Sequence, residues 1–306
     1  MKTHGRWRKL GRVFCPDGSS PWMRTHAAVP IAQSLGGDLF RVYFSARDAN
    51  GRSHTGYVVI DITRPEVILA RGEAPVLAPG ELGAFDDSGA MATWLTPTSD
   101  GDRLYYIGWN LGVTVPFRNA IGLAVSRAPN SPVFERYAPG PIVDRTMSEP
   151  HFCASCCVLR DGAQWRMWYL SCTEWRTQAS GPEHRYHIKY ATSEDGVHWR
   201  RDGLVAIDYA SDAEVAISRP SVVRDADVWR MWYSYRTHKY RIGYAESEDA
   251  VRWVRRDDAS GIDVSDDGWD ADMIEYPFVF DHAGRRYMLY NGNGYGATGF
   301  GVAVLD

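Results

Sequence analysis

The chain has 306 residues, with 34 Lys and Arg against 38 Asp and Glu, a formal net charge of −4. That balance excludes duplex nucleic acid or an anionic membrane held by bulk charge, and 44% hydrophobic against 24% charged residues excludes global disorder. Trp (12), Tyr (17) and Gly (29) are abundant and long Ala/Leu/Glu/Lys stretches are lacking, which points to β-strands joined by tight turns.

The opening MKTHGRWRKLGRVF holds no apolar run of signal-peptide length, and nowhere do about 18 apolar residues follow one another. The expectation is a soluble, cytoplasmic protein. Three apolar segments then recur through the chain. The first set is His26–Ala32, RVYFSAR at Arg41–Arg47 and TGYVVI from Thr55. Gly89–Leu95, LYYIGWN at Leu104–Asn110 and IGLAVS from Ile121 form the second. Phe152–Leu159, RMWYLSC at Arg166–Cys172 and IKYATS from Ile188 form the third. Ser221–Arg224, RMWYSYR at Arg230–Arg236 and IGYAES from Ile242 form the fourth, and Pro277–Phe280, YMLYNGN at Tyr287–Asn293 and FGVAVL from Phe300 the fifth. Equivalent residues Val42, Tyr105, Met167, Met231 and Met288 lie 63, 62, 64 and 57 positions apart. Two third segments continue through Ser193–Trp199 and Ser247–Trp253, where Asp195 and Asp249 read as turn residues. Five repeats of four antiparallel strands, with no credible helix, predict one domain over residues 1–306, a five-bladed β-propeller. The last repeat lacks an outer strand, and Gly5–Phe14 resembles the outer run Val197–Val205. The N-terminus is therefore expected to close the ring.

The cysteines, Cys15, Cys153, Cys156, Cys157 and Cys172, are odd in number and mostly clustered, unlike a disulfide framework. They read as reduced core residues, and with no second Cys or His pair neither a metal nor a cofactor is expected.

In such a blade the start of the first strand, the end of the second and the start of the third share one face of the disc. At first-strand starts stand His26, Asp86 and Asp87, Glu149, Arg219, and Glu275 with Tyr276. Second strands end at Arg47, Asn110, Cys172, Arg236 and Asn293, with Asp48 next to Arg47. Before third strands come His54, Asn119, His187 and Arg241. A central funnel holding Asp86, Asp87, Glu149, Glu214 and Glu275 could supply the acid and base of glycoside hydrolysis. Arg47, Arg219, Arg236 and Arg241 exceed the needs of a neutral sugar and point to an anionic saccharide or sugar conjugate, or to bound phosphate. Equally, each could offset an acid, as in an ion pair of Glu149 with Arg219 or Arg241. Trp22, Trp109, Trp175, Trp269 and Tyr295 are candidate stacking platforms.

The repeated phrase Arg-Met-Trp-Tyr-Ser, then Arg-Ile-Gly-Tyr-Ala-x-Ser-x-Asp, then Trp, resembles the blade signature of the five-bladed propeller glycosidases, glycoside hydrolase families 32, 43, 68 and 130 and their relatives. The resemblance implies Glu149, in Glu-Pro-His-Phe, as acid, and Asp86 or Asp87 as the second-blade carboxylate. It departs at blade one, where His26 replaces the expected Asp, so that Glu275 or Asp48 would have to stand in as base. The Glu-Asp-Pro-Arg motif of family 130 is absent. Three activities follow as expectations: a glycosidase with Glu149, Asp87 and Glu275 as catalytic groups, a non-catalytic or biosynthetic sugar-recognition propeller, and a phosphate-dependent phosphorylase.

Overall fold

The computed structural model describes residues 5–306, and over them the fold is all-β. Strand β1 spans Trp7–Phe14. The next four, β2 (Thr25–Gly36), β3 (Leu39–Arg47), β4 (Ser53–Asp61) and β5 (Ile68–Arg71), form an antiparallel meander. The pattern repeats in β6 (Gly89–Thr98), β7 (Gly101–Leu111), β8 (Phe117–Val125) and β9 (Glu135–Arg136), and in β10 (Cys153–Asp161), β11 (Gln164–Gln178), β12 (Gly181–Ser193) and β13 (Val205–Ile207). It repeats again in β14 (Ala216–Asp225), β15 (Val228–Arg236), β16 (Tyr240–Ser247) and β17 (Val254–Arg255). The last unit is β18 (Glu275–His282), β19 (Arg285–Asn291) and β20 (Phe300–Leu305), whose free edge pairs antiparallel with β1, Trp7 opposite Leu305 and Phe14 opposite Phe300. That edge would otherwise expose unpaired backbone groups. No helix among the described residues is long and apolar enough to cross a membrane.

Middle strands are apolar on both faces because neighbouring units cover both. Met167, Trp168 and Tyr169 are consecutive and all fully buried. First strands touch in succession, β2 against β6, β6 against β10, β10 against β14, β14 against β18, and β18 against β2. Thr93 Oγ1 accepts from the Cys156 amide at 3.2 Å and Ser221 Oγ from the Val279 amide at 2.8 Å, so these contacts include hydrogen bonds.

Each first strand carries an extra residue relative to its partner, a β-bulge, between Ala28 and Ile31, Ala92 and Trp94, Ala154 and Cys156, Ser218 and Ser221, and Glu275 and Phe278. In three units the bulge is an X-Pro step with X at positive φ: Val29 (55°), Arg219 (51°) and Tyr276 (56°). A non-glycine residue there is strained, and the bulge re-aims its side chain toward the centre. Beside a 3-10 turn at Asp257–Ala259, the short helical turn Asn293–Gly296 departs from the expectation of no helix. It brings Gly296 so close to β2 that a Cβ would lie 2.9 Å from Ala28 Cα.

The last and first units are joined by Asn291. Its Oδ1 accepts from the Val29 amide at 2.8 Å, while Nδ2 donates to Ala27 O at 2.7 Å and Gly299 O at 2.9 Å. Replacing this fully buried amide by Ala strands three polar groups, so Asn291→Ala is expected to lower unfolding free energy by about 2–3 kcal/mol in urea denaturation.

Asp195 and Asp249 are turn residues, as expected. Asp195 Oδ1 accepts from the Val197 and His198 amides, both at 2.8 Å, and Asp249 Oδ1 from those of Val251 and Arg252 at 2.9 and 2.7 Å. These bonds hold both carboxyls well below the usual range, although partial burial pushes the other way. Cys153, Cys156, Cys157 and Cys172 are buried free thiols, three of them on β10.

Candidate active site

Where the first strands meet lies a central cavity of about 330 Å³, walled by residues from all five units. Unit one gives Val29 and Arg47, unit two Met91 and Asn119, unit three Ser155, His184 and Tyr186, unit four Ser218, Arg236 and Tyr240, and unit five Tyr276 and Tyr295. A second cavity of about 380 Å³ opens beside it between units two and three and shares Asn119 and Phe152 with it. An aromatic cluster stands between them. Phe117 packs on Phe152 and Trp175, each with centroids 5.6 Å apart, and His184 stacks on Tyr186 at 5.0 Å and 9°.

Of the predicted site residues, Arg47, Asn119, Arg236 and Tyr276 line the central cavity and Asn110 the neighbouring one. His26 stands at the rim on the strand pair that carries Arg47; burial, then the Arg47 charge, pushes its imidazole down to about 4. His184 is likewise lowered to about 4, by burial and by Arg236. Both are neutral donors or acceptors at physiological pH. The two guanidinium groups are weakly partnered: Arg236 lies over the Tyr240 ring at 5.5 Å and its only carboxylate is Glu183, at 4.0 Å, with its Nε unbonded, and Arg47 makes no side-chain ion pair among the described residues.

Three predicted acids lie elsewhere, for a common reason. Asp86 Oδ2 accepts from Tyr106 at 3.1 Å and from Arg136 Nε at 2.8 Å. Glu149 accepts from Tyr169 at 2.9 and 3.1 Å and faces Arg201 at 3.6 Å. Asp270 accepts from Tyr290 at 2.9 Å and Lys9 at 2.7 Å. Glu214 takes both terminal nitrogens of Arg255, at 2.7 and 2.8 Å, while Tyr233 donates to the neighbouring Asp257. In four units a buried carboxylate before the first strand is thus tied to a middle-strand tyrosine region and to a cation from the outer-strand segment. Asp86, Glu149 and Glu214 were expected at the mouth of the funnel; instead they, with Asp270, fasten four of the units across their width. The partners of Glu149 are Arg201 and Lys189, not Arg219 or Arg241.

Arg219 is also inside. It is fully buried, and from the bulge its guanidinium crosses the molecule to Thr93 O and Oγ1 and to Pro30 O at 3.0 Å, joining units four, two and one. With no carboxylate against it, burial lowers its pKa to about 10, still charged at neutral pH. Arg241 lies apart, on Asp263 at 3.2 Å. Asn293 secures a loop by accepting from the Asp272 and Met273 amides at 2.8 and 3.1 Å. Asp87 accepts from the Gly83 amide and Ser88 Oγ, both at 3.0 Å, within its loop. His54 bonds Asp48 at 3.3 Å and His187 bonds Asp208 at 3.0 Å, and none of these four lines the central cavity.

Glu275 is different. It is 0% exposed, and neither carboxylate oxygen has a hydrogen-bond partner. Burial pushes its pKa well above the usual range, only partly opposed by the Tyr276 hydroxyl and the Arg236 charge. It pairs with Asn291; the corresponding first-strand positions in the other units, opposite Ser45, Gly108, Leu170 and Ser234, are Ala28, Ala90, Ala154 and Ser218. A carboxylic acid thus stands once where small residues stand four times, behind the cavity wall formed by Tyr276 and Tyr240.

The sequence reading missed His184, Tyr186, Tyr240, Phe117 and Phe152. The third hairpin runs on to Gln178 and Gly181, six residues past Cys172. The alternation of His184, Tyr186 and Ile188 with Arg185 and His187 was the signal for that extension. Among the described residues no group of three or more His, Cys, Asp or Glu is arranged to hold a metal ion.

The chain matches no protein-family model. It is similar to solved glycoside hydrolases: a glycosyl hydrolase from Bacteroides ovatus (TM-score 0.73, 17% identity, 98% of this chain and 94% of that one). Another is a structure described with the GH130 family of mannoside phosphorylases, said to contain hydrolases of β-1,2 mannosidic linkages in Candida mannan (TM-score 0.73, 16% identity, 99% and 94%). These likenesses show the fold, that of the propeller glycosidases. By sequence it is 48% identical, over 301 residues covering 98% of this chain and 99% of theirs, to "Uncharacterized protein MT1551" and "Uncharacterized protein Rv1502" from two strains of Mycobacterium tuberculosis. With that identity along nearly its whole length, the chain belongs to the family of these two mycobacterial proteins.

Proposed function

We propose that the five units close into one five-bladed propeller and that its central cavity acts on the glycosidic bond of an anionic sugar conjugate. The observation that carries this reading is the pair Arg47 and Arg236, weakly partnered cations in an aromatic cavity to which every unit contributes. Guanidinium groups grip phosphate or carboxylate in two-point fashion, and tyrosine faces stack on sugar rings. Glu275, whose protonated form burial favours, is the proton reservoir. Its proton passes through the adjacent Tyr276 hydroxyl to the departing glycosidic oxygen as the anomeric C–O bond breaks and a water oxygen bonds to the anomeric carbon, and the proton that water releases restores the acid. The surroundings of Glu149 support a structural role for it instead.

The cavity wall itself contains no carboxylate and Glu275 alone stands behind it, which favours one further reading: inorganic phosphate, held by Arg47 and Arg236, attacks the anomeric carbon. Phosphorolysis of this kind needs one protein acid only. The test is product analysis on uronides, sugar phosphates and neutral glycosides with and without phosphate. Arg47→Ala and Arg236→Ala are expected to raise KM for the charged substrate about 10- to 100-fold and to leave a neutral analogue unchanged. Equal effects on both would remove the anionic group from the proposal, and sugar phosphate formed only with added phosphate would establish phosphorolysis over hydrolysis.

A further inference from the structure

The second cavity carries features that the central site does not use. Its wall is largely apolar, with Phe85, Val115, Pro150, Phe152 and Trp175, and two arginines, Arg118 and Arg145, reach it. Arg118 makes no hydrogen bond or ion pair among the described residues, and Arg145 meets only the adjacent Asp144, at 3.7 Å. Thr114, Asp144 and His151 complete the polar lining with Asn110 and Asn119.

The segments that supply this wall also carry the four most exposed large apolar side chains of the described residues. Leu82, Val113 and Met147 are wholly exposed and Leu111 is 73% exposed. Each lies within three residues of a wall residue, Leu82 near Phe85, Leu111 and Val113 beside Asn110 and Thr114, and Met147 near Arg145. Single exposed apolar residues need no explanation. Four on the segments that wall one cavity bearing two arginines mark a surface made to be covered. The charge selects the occupant: an uncharged apolar partner would leave Arg118 desolvated and unpaired, whereas an anionic head beside an apolar chain satisfies both.

We propose that this cavity and its apolar rim bind an anionic amphiphile, an apolar chain bearing a phosphate or carboxylate, as the aglycone of the sugar conjugate acted on in the central cavity. The shared wall residues Asn119 and Phe152 put the junction between sugar and aglycone at the boundary of the two cavities. The inference rests on the central-site reading for the word aglycone, but the binding itself is measurable without turnover.

Calorimetric titration of the full chain with dodecyl phosphate below its micellar concentration tests it. Dodecyl phosphate is expected to bind about tenfold or more tightly than dodecyl maltoside. Arg118→Ala with Arg145→Ala should weaken it about tenfold or more, and Leu82→Ser with Val113→Ser and Met147→Ser by a similar factor. All these residues are exposed or edge the cavity, so thermal midpoints should stay close to that of the parent and exclude misfolding. No binding of dodecyl phosphate, or equal binding by the parent and both variants, would overturn the proposal. So would sedimentation with phosphatidylglycerol vesicles in the absence of binding to the monomeric probe, which would make the rim a membrane-docking face. Dodecyl phosphate binding that persists while no glycoside is turned over would remove the central-site reading and leave the amphiphile site standing.

Discussion

Glu275→Gln is expected to lower turnover by about 10²- to 10⁴-fold, the range associated with removal of general acid catalysis, with substrate affinity nearly unchanged. Glutamine keeps the shape of the side chain and loses the transferable proton, so the loss should appear in kcat. The pH dependence supplies an independent readout. Burial raises the pKa of Glu275, so the parent should keep its acid protonated at neutral pH and lose activity as pH rises through that elevated value. The variant's residual activity should lack that limb. The parent's stability should fall with rising pH as well. A carboxyl that binds its proton more tightly folded than unfolded favours the folded state fully below the unfolded value, and the advantage disappears as pH climbs through the folded value. Glutamine has no such dependence. The variant should therefore gain stability relative to the parent between pH 5 and 8, by at most about 1.4 kcal/mol per pH unit. Thermal denaturation at several pH values checks this. A variant as active as the parent would end the role of Glu275, and a flat stability difference would show that the carboxyl is not held neutral.

The architecture was legible because each middle strand is a near-continuous aromatic run, such as Arg-Met-Trp-Tyr, that only a strand covered on both faces tolerates. Pairing of Trp7–Phe14 with Phe300–Leu305 was legible from the missing outer strand of the last unit. The acids were harder to assign. Matched positions of Asp86, Glu149 and Glu214 suggested convergence on a funnel, yet repetition is the mark of something every unit needs. Here four of the five units use such a carboxylate as a fastener between the entry segment and the outer strand. A functional group on a repeated scaffold is more readily betrayed by singularity, and Glu275 is singular against Ala28, Ala90, Ala154 and Ser218 in the four other units. Side-chain direction was hidden as well. The bulges turn Tyr276 into the cavity and Arg219 across the interior, and nothing in an X-Pro step announces which way its side chain is sent.

Glu149→Ala is expected to produce the largest loss of stability, about 3–5 kcal/mol, because it leaves Arg201 and Lys189 facing a buried gap and removes the acceptor of Tyr169 and Ser171. Glu149→Gln separates structure from chemistry. The amide keeps an acceptor for Tyr169 while losing the charge opposite the two cations, so its cost should be smaller, about 1–3 kcal/mol. Well below its unfolding midpoint, Glu149→Gln should turn over substrate within about threefold of the parent, since the group is 2% exposed and lines neither cavity. The ordering matters more than either value: a fastener gives a graded loss of stability with chemistry preserved, whereas an acid gives a large loss of turnover with the fold intact. A folded Glu149→Gln variant without activity would return the proton-donor role to Glu149 and require the loop before β10 to open toward the substrate.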